Sequence, residues 1–169
     1  MSKLSEVYSI EGFVLDVDGV LSSTVLQISE EGQPIRTTNL HDGFAIRVAL
    51  RAGFKMAVIT GGKCENVKKR YNLLGISDVY IGVTDKMEVF DNWLRKSEIS
   101  AEQIAYMGDD IPDLGIMRCV GLPSAPYDAR PEVLQTAKFI SKCGGGYGCV
   151  RDLIESVMRA QGLWDKYAY

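Results

Sequence analysis

The stretch Gly12-Phe-Val-Leu-Asp-Val-Asp-Gly-Val-Leu21 decides the fold of this 169-residue chain. Its apolar, partly β-branched residues show no helical period, which is typical of a buried strand in a parallel sheet. Asp16 and Asp18 stand at the carboxyl end of this strand, and residues two apart point the same way, so both carboxylates can face one crevice. Two like charges so close together require a cation, such as a divalent metal that also holds a phosphoryl group.

Gly19 follows the two acids directly. Glycine allows a sharp turn and lets backbone N–H groups approach an anion, which again favours a phosphate site. Asp-Gly is also a common turn dipeptide, so an acidic turn without function is the alternative interpretation of this stretch alone.

Composition predicts a single globular domain over residues 1–169, because 46% of the residues are hydrophobic and the chain is short. The formal net charge of -3 and the pI of about 5.2 argue against binding to nucleic acid or to an anionic membrane. We therefore expect a small molecule as the partner.

The four cysteines have no C-x-x-C spacing, and the only histidine is His41, so a zinc site is not expected. No apolar run reaches transmembrane length, and the first residues lack the apolar core of a signal peptide. A cytoplasmic protein with free thiols is the expectation.

Strand and helix patterns alternate along the rest of the chain. Further strands are predicted at 55–60, 78–81, 104–107, 119–122 and 137–140, and the helical patterns lie between and after them. A β-hairpin of 24–28 and 34–38 should project beside the first strand, and the aromatic tail 163–169 should fray. This order predicts a doubly wound α/β fold with a mainly parallel sheet and right-handed crossovers.

Several polar residues lie just after predicted strands, where an open parallel sheet binds its ligands. They are Asp16, Asp18, Thr60, Lys86, Asp109, Asp110 and Asp113. Lys86 falls in the first turn of a helix capped by Asp85, where the helix dipole disfavours a cation, so its position requires a functional reason. We expect these side chains to converge on one site.

The chemistry that such a set supports is metal-assisted phosphoryl transfer. Asp16, Asp109 and Asp113 are candidate ligands for Mg²⁺, which prefers oxygen donors. One aspartate can attack phosphorus to give an aspartyl-phosphate, while Asp18 can protonate the leaving oxygen and later take a proton from water.

The phosphate itself would lie between cationic and N–H donors. Thr60, the backbone amides of Gly61 and Gly62, and the ammonium of Lys86 are the candidates for this role.

Four motifs in this order resemble those of the haloacid dehalogenase phosphatase superfamily, whose core is Rossmann-like. They are D-x-D-G at 16–19, Thr60-Gly61, Lys86 and Gly-Asp-Asp-x-x-Asp at 108–113. The resemblance implies that Asp16 is the nucleophile, that Asp18 is the general acid/base, and that Thr60, Gly61 and Lys86 bind phosphate. It also implies Mg²⁺ held by Asp16, the backbone carbonyl of Asp18, and Asp109, with Asp110 and Asp113 supporting this set.

The segments between these motifs are too short for the cap domain that many relatives insert, so the site should be open. Within the superfamily, the stretches 40–46, 108–113 and 145–152 resemble the 3-deoxy-D-manno-octulosonate 8-phosphate (KDO 8-phosphate) phosphatases of lipopolysaccharide precursor synthesis. That resemblance implies a homotetramer in which the hairpins line up and neighbouring subunits close the sites.

Phosphatases of sialic-acid-type nonulosonate 9-phosphates have nearly the same pattern and remain an alternative. They tend to carry an acid after Thr-Gly, and the octulosonate enzymes an arginine, whereas this chain has Gly62. The carboxylate of such a sugar acid needs a cation, for which Lys63 and Arg70 are candidates in the same subunit, with His41 and Asp42 as alternatives across the cleft.

A phosphoacceptor receiver domain is the alternative from another functional class. It shares the sheet type, an acidic cluster, a threonine and a lysine, but it lacks the Gly-Asp-Asp-x-x-Asp motif at 108–113.

Overall fold

The computed structural model describes residues 7–169, so residues 1–6 of the predicted domain lie outside the described part. The strands are β1 (Gly12–Leu15), β2 (Gln27–Ile28), β3 (Pro34–Ile35), β4 (Lys55–Ile59), β5 (Asp78–Tyr80), β6 (Ile104–Met107), β7 (Leu122–Ala125) and β8 (Phe139–Ile140). The α-helices are α1 (Leu40–Arg51), α2 (Glu65–Leu74), α3 (Lys86–Ser97), α4 (Leu114–Met117), α5 (Pro131–Thr136), α6 (Cys149–Ala160) and α7 (Trp164–Ala168), and 3-10 turns cover Ala101–Gln103 and Ile111–Asp113.

Six strands form one sheet in the order β5-β4-β1-β6-β7-β8, and every pair in it is parallel. β1 lies between β4 and β6, so the chain extends the sheet first to one side of β1 and then to the other. The carboxyl end of β1 is therefore the point where the strand order reverses, which is where open α/β sheets bind ligands. The predicted fold class is confirmed.

Alternate residues of the central strands supply two separate cores, as the period of a strand requires. Phe13 and Leu15 of β1 pack with α1, α2, α6 and α7, whereas Val14 packs with α3, α4 and α5 on the other face. Both faces of the sheet are thus buried by helices, which explains the nearly continuous apolar runs in the strands.

The connections confirm the absence of a cap within residues 7–169. The segment from β1 to α1 holds only the antiparallel β2-β3 hairpin, which is shorter than predicted, and α2 and β5 alone lie between β4 and α3. No helix of the described residues has the length and apolar character that a bilayer crossing requires.

Two local predictions were wrong. The strand predicted at 119–122 is β7 (Leu122–Ala125), which begins three residues later. Its second residue is Pro123, which is paired with β6 although proline usually argues against an inner strand. The tail does not fray: Trp164 is only 2% exposed, and its indole contacts Phe44 and the guanidinium groups of Arg151 and Arg159.

Candidate active site

A cleft of about 480 Å³ opens at the carboxyl ends of β1, β4 and β6. All seven strand-end residues singled out from the sequence line it, together with Gly61 and Gly62, and Thr24, Val83, Thr84 and Pro112 complete the wall. The lining residues come from five separate segments of the chain, and the parallel sheet brings together the four that follow its strands.

Asp16 follows β1 at the base of the cleft and is 7% exposed. Its Oδ1 accepts a hydrogen bond from the backbone N–H of Val17 at 2.7 Å, and its Oδ2 lies 3.1 Å from the Lys86 ammonium. Burial, followed by repulsion from Asp113, raises the pKa of Asp16 to about 7, although Lys86 acts against this shift. The one ammonium beside Asp16 is therefore not enough to offset its burial and the repulsion from Asp113.

Asp113 is fully buried and accepts four hydrogen bonds. The Lys86 ammonium donates at 2.7 Å, the Tyr106 hydroxyl at 2.5 Å, and the backbone amides of Asp109 and Asp110 at 3.0 and 3.2 Å. Burial and the nearby acids raise the pKa of Tyr106 well above its ordinary value, so its hydroxyl stays protonated and can donate. Asp113 thus positions Lys86 and the turn that carries Asp109.

Lys86 begins α3 and bridges two carboxylates. Burial favours a lower pKa for its ammonium, but the charges of Asp16 and Asp113 outweigh that effect and raise the pKa. The pairing with Asp16 and Asp113 thus favours the charged ammonium and gives a structural reason for a cation at the start of a helix.

Asp109 lies against Gly19, whose φ is 82°. A β-carbon at position 19 would come within 2.0 Å of the Asp109 carboxylate, so only glycine permits this approach. Burial and the repulsion of Asp16 raise the pKa of Asp109 to about 8. Among the described residues, Asp16, Asp109 and Asp113 each offer an oxygen, and these oxygens lie within 4.8 Å of one another.

This donor set fits a hard divalent cation, because it offers only oxygen atoms and its negative charge exceeds what Lys86 neutralises. After burial, repulsion among these acids is the next cause of the raised pKa values of Asp16 and Asp109. The residues therefore fit the predicted Mg²⁺.

Asp18 is oriented differently from the other acids. Its carboxylate receives two parallel hydrogen bonds from Arg36, in which Nε donates to Oδ1 and Nη2 to Oδ2, both at 2.9 Å. Arg36 was not among the residues predicted for the site, although it is the only charged residue in the predicted strand 34–38. The side chain of Asp18 is thus engaged by the hairpin, outside the group formed by Asp16, Asp109 and Asp113.

Thr60 ends β4 and is buried, with its Oγ1 accepting the Gly62 N–H at 3.2 Å. This bond fixes the Thr60-Gly61-Gly62 turn at the edge of the cleft. Asp110 is exposed, and its side chain accepts the Ile111 N–H at 2.8 Å to begin a 3-10 turn. Thr24 and Thr84 also line the cleft, and their sequence context carries no signal that distinguishes them from ordinary loop threonines.

The residues predicted to bind the carboxylate of a sugar acid do not line this cleft. Arg70 lines a second cavity of about 360 Å³ between the hairpin and α2, and the Lys63 side chain lies against Gly82. His41 is exposed at the start of α1, and Asp42 is buried between α1 and α6. Their role in binding the substrate stays a prediction.

Comparisons with known proteins show close similarity to one enzyme family. The 3-deoxy-D-manno-octulosonate 8-phosphate phosphatase KdsC of Escherichia coli (strain K12) is 36% identical over 163 residues, which cover 96% of this chain and 87% of the relative. The enzyme of the same name from Yersinia pestis is 34% identical over 153 residues, covering 90% of this chain and 82% of the relative. No family model matches the chain.

Solved structures agree with the sequence comparison. The 3-deoxy-D-manno-octulosonate 8-phosphate phosphatase from Moraxella catarrhalis, in complex with magnesium ion, phosphate ion and KDO, superimposes with a TM-score of 0.92 at 29% identity, covering 98% of this chain and 95% of that one. A putative haloacid dehalogenase superfamily (subfamily III A) hydrolase from Legionella pneumophila gives a TM-score of 0.92 at 33% identity, covering 98% of this chain and 90% of that one.

Proposed function

Because the chain belongs to the 3-deoxy-D-manno-octulosonate 8-phosphate phosphatase family of the haloacid dehalogenase superfamily, we propose that it hydrolyses KDO 8-phosphate to KDO and inorganic phosphate. The observation that carries the proposal is the convergence of Asp16, Lys86 and Asp109 in one cleft, around a group of oxygens that fits a divalent cation. A receiver domain finds no support among the relatives, which are named phosphatases.

In the first step, an oxygen of Asp16 attacks phosphorus while the bond from phosphorus to the sugar oxygen breaks. The departing sugar oxygen takes a proton from Asp18, and Asp16 carries the phosphoryl group. In the second step, Asp18 takes a proton from a water molecule that attacks phosphorus, which frees Asp16 and releases phosphate. Asp16 lies at the base of the cleft and is 7% exposed, so it contacts only what enters the cleft.

The remaining residues orient the phosphoryl group. Lys86 lies 3.1 Å from Asp16, so its ammonium can contact a phosphoryl oxygen next to the nucleophile, and Thr60 and the Gly61 amide can hold a second oxygen. Bound Mg²⁺ would neutralise the carboxylates and withdraw charge from the phosphoryl oxygens. Asp16, the backbone carbonyl of Asp18, and Asp109 would hold it, with Asp110 and Asp113 as supports.

A substrate panel tests this assignment. Phosphate release is compared for KDO 8-phosphate, a nonulosonate 9-phosphate and hexose phosphates, each with Mg²⁺ and with EDTA. We expect the highest kcat/KM for KDO 8-phosphate and no turnover in EDTA. A preference for the nine-carbon substrate would transfer the assignment to the alternative sugar acid, and full activity in EDTA would contradict the metal site.

We also propose that the protein is cytoplasmic and that it forms a homotetramer. The open cleft supports the homotetramer, in which a neighbouring subunit would cover the site. Without a cap, the cleft of one chain offers few contacts to an eight-carbon sugar, and Lys63 and Arg70 do not line it. Sedimentation velocity across a dilution series, run alongside activity, provides the test. A fully active monomer would overturn this part of the proposal.

A further inference from the structure

Arg36 directly follows β3 and connects the hairpin to the catalytic cleft. Its guanidinium binds both oxygens of Asp18, and its Nη1 donates to the carbonyl of Pro34 at 3.3 Å. The Arg36 side chain is only 10% exposed, whereas that of Asp18 is 41% exposed. The arginine is thus held against the protein, and the acid keeps a face toward the cleft.

Gly62 provides the space that this arginine occupies. A β-carbon at position 62 would lie 2.6 Å from Nη2 and 3.0 Å from Cζ of Arg36. The backbone cannot move away easily, because the Gly62 N–H donates to Thr60 Oγ1 at 3.2 Å and its carbonyl accepts from Gly82 at 2.9 Å. A side chain at position 62 and the observed position of Arg36 therefore exclude each other.

We propose that Arg36 is a positioning residue for Asp18 and that Gly62 is the space its guanidinium requires. The inference rests on the proposed function, since it assigns Arg36 to the proton donor of that reaction. Two parallel hydrogen bonds fix the plane of the carboxyl group, which a half-exposed aspartate would not otherwise maintain. Each oxygen keeps a second lone pair, so the pairing leaves room for the proton that Asp18 must deliver.

The planar fork of arginine suits this role better than a single cation does. Lysine presents a single ammonium and cannot hold both oxygens in one plane, although it supplies the same charge. The hairpin, which was predicted beside the first strand and which the family resemblance associates with subunit contacts, thereby becomes part of the catalytic apparatus.

Leaving-group dependence provides the test. A sugar alkoxide needs a proton to depart, whereas p-nitrophenolate departs without one, so only the sugar substrate depends on the alignment of Asp18. We expect Arg36→Met to lower kcat/KM for the sugar phosphate by about a hundredfold and that for p-nitrophenyl phosphate by less than about threefold. Arg36→Lys should recover part of the loss, and Arg118→Met, at an exposed arginine, should change neither value.

A second variant reaches the same contact from the other side. Gly62→Ala should reproduce the selective loss of Arg36→Met by displacing the guanidinium, and the double variant should be no worse than either single one. Gly62→Ala alone carries the test if Arg36→Met does not fold.

Equal losses with both substrates, or unchanged kcat/KM for the sugar phosphate, would overturn the role of Arg36 while the phosphatase assignment stands. Additive losses in the double variant would likewise contradict the shared contact. If the wild-type protein released phosphate from neither substrate, the proposed function would fail, and the inference with it.

Discussion

Within residues 7–169, carboxylates are buried in two regions, and the surroundings of the buried charge differ between them. In the cleft, Asp16, Asp109 and Asp113 surround a space that opens to solvent, with Lys86 on one side. Between α1 and α6, Asp42 stands alone: its Oδ1 accepts the Arg151 backbone N–H at 2.7 Å, and its Oδ2 has no hydrogen-bond partner among the described residues.

Both regions raise the pKa of their acids, so a raised pKa alone does not identify a catalytic group. Burial is the largest cause in each region, and it raises the pKa of Asp42 to about 6. Only in the cleft do further acids add to this effect, and only there can a dissolved cation reach the oxygens. Crowding of like charges beside an opening, rather than burial, distinguishes the catalytic region.

The strongest test of this comparison is Asp16→Asn. We expect phosphatase activity to fall by at least about a thousandfold, because an amide cannot attack phosphorus. The melting temperature in EDTA should not fall, since the change removes one member of a repelling group. Asp91→Asn, at an exposed acid of α3, is the charge-matched control and should retain full activity. Residual turnover above a few per cent would identify another nucleophile.

Lys86→Met tests whether one ammonium holds the cleft together. Its removal leaves Asp16 and Asp113 buried without their shared cation, so the free energy of unfolding in EDTA should fall by about 3 to 5 kcal/mol. Denaturant titration measures this change, and added Mg²⁺ should restore part of it.

Lys96→Met on the same helix is the matched control. Lys96 pairs with Asp78 at the surface, where its side chain is 64% exposed, so its loss should change stability far less than the loss of Lys86. Similar losses in the two variants would contradict a special role for Lys86.

The pH dependence of the metal-free protein tests the repulsion itself. The pKa of Asp16 is about 7 in the folded protein, against about 3.9 in an unfolded chain. Between these values the folded state holds a proton that the unfolded state has lost, so stability decreases as pH rises. Asp16 alone should contribute a decrease on the order of 3 to 4 kcal/mol from pH 4 to pH 8 in EDTA, and the raised pKa of Asp109 adds to it.

Saturating Mg²⁺ should flatten or reverse this trend, because a cation binds the deprotonated carboxylates. Denaturant unfolding at several pH values, with and without the ion, measures both curves. A metal-free protein that gains stability toward pH 8 would show that the acids do not repel one another as the geometry indicates.

The sequence predicts the cleft better than it predicts the hairpin, for a physical reason. Asp16, Thr60 and Asp109 each follow an apolar strand, and a parallel sheet places the ends of such strands together whatever the loops do. Arg36 belongs to a short exposed hairpin, whose docking depends on Gly62, 26 positions away in the chain numbering. No local pattern encodes that contact.

Asp42 is the converse case, because it was predicted for the site and lies outside the cleft. Its place beside His41, in a stretch that resembles a known family, suggested a role across the cleft. The structure instead places its carboxyl group at the first turn of α6, where it accepts a backbone N–H. Asp42 lies in the first turn of α1, where an acid can be stabilising without binding any substrate. Only the packing of α1 on α6 decides between this structural role and a role in the cleft.

Asp42→Asn is therefore expected to have the smallest effect, on stability and not on the cleft. With Mg²⁺ present at all pH values, the variant should gain about 2 kcal/mol relative to the wild type between pH 4 and pH 8, because the wild-type carboxyl group must ionise while buried. The asparagine oxygen can still accept the Arg151 N–H, and any penalty from its unpartnered amide hydrogens is the same at both pH values and cancels in the difference. Asp91→Asn, at an exposed acid, should show no such gain. If Asp42→Asn instead raised KM for the sugar phosphate with no change in the pH dependence of unfolding, Asp42 would belong with the catalytic acids, and the contrast between the two regions would be wrong.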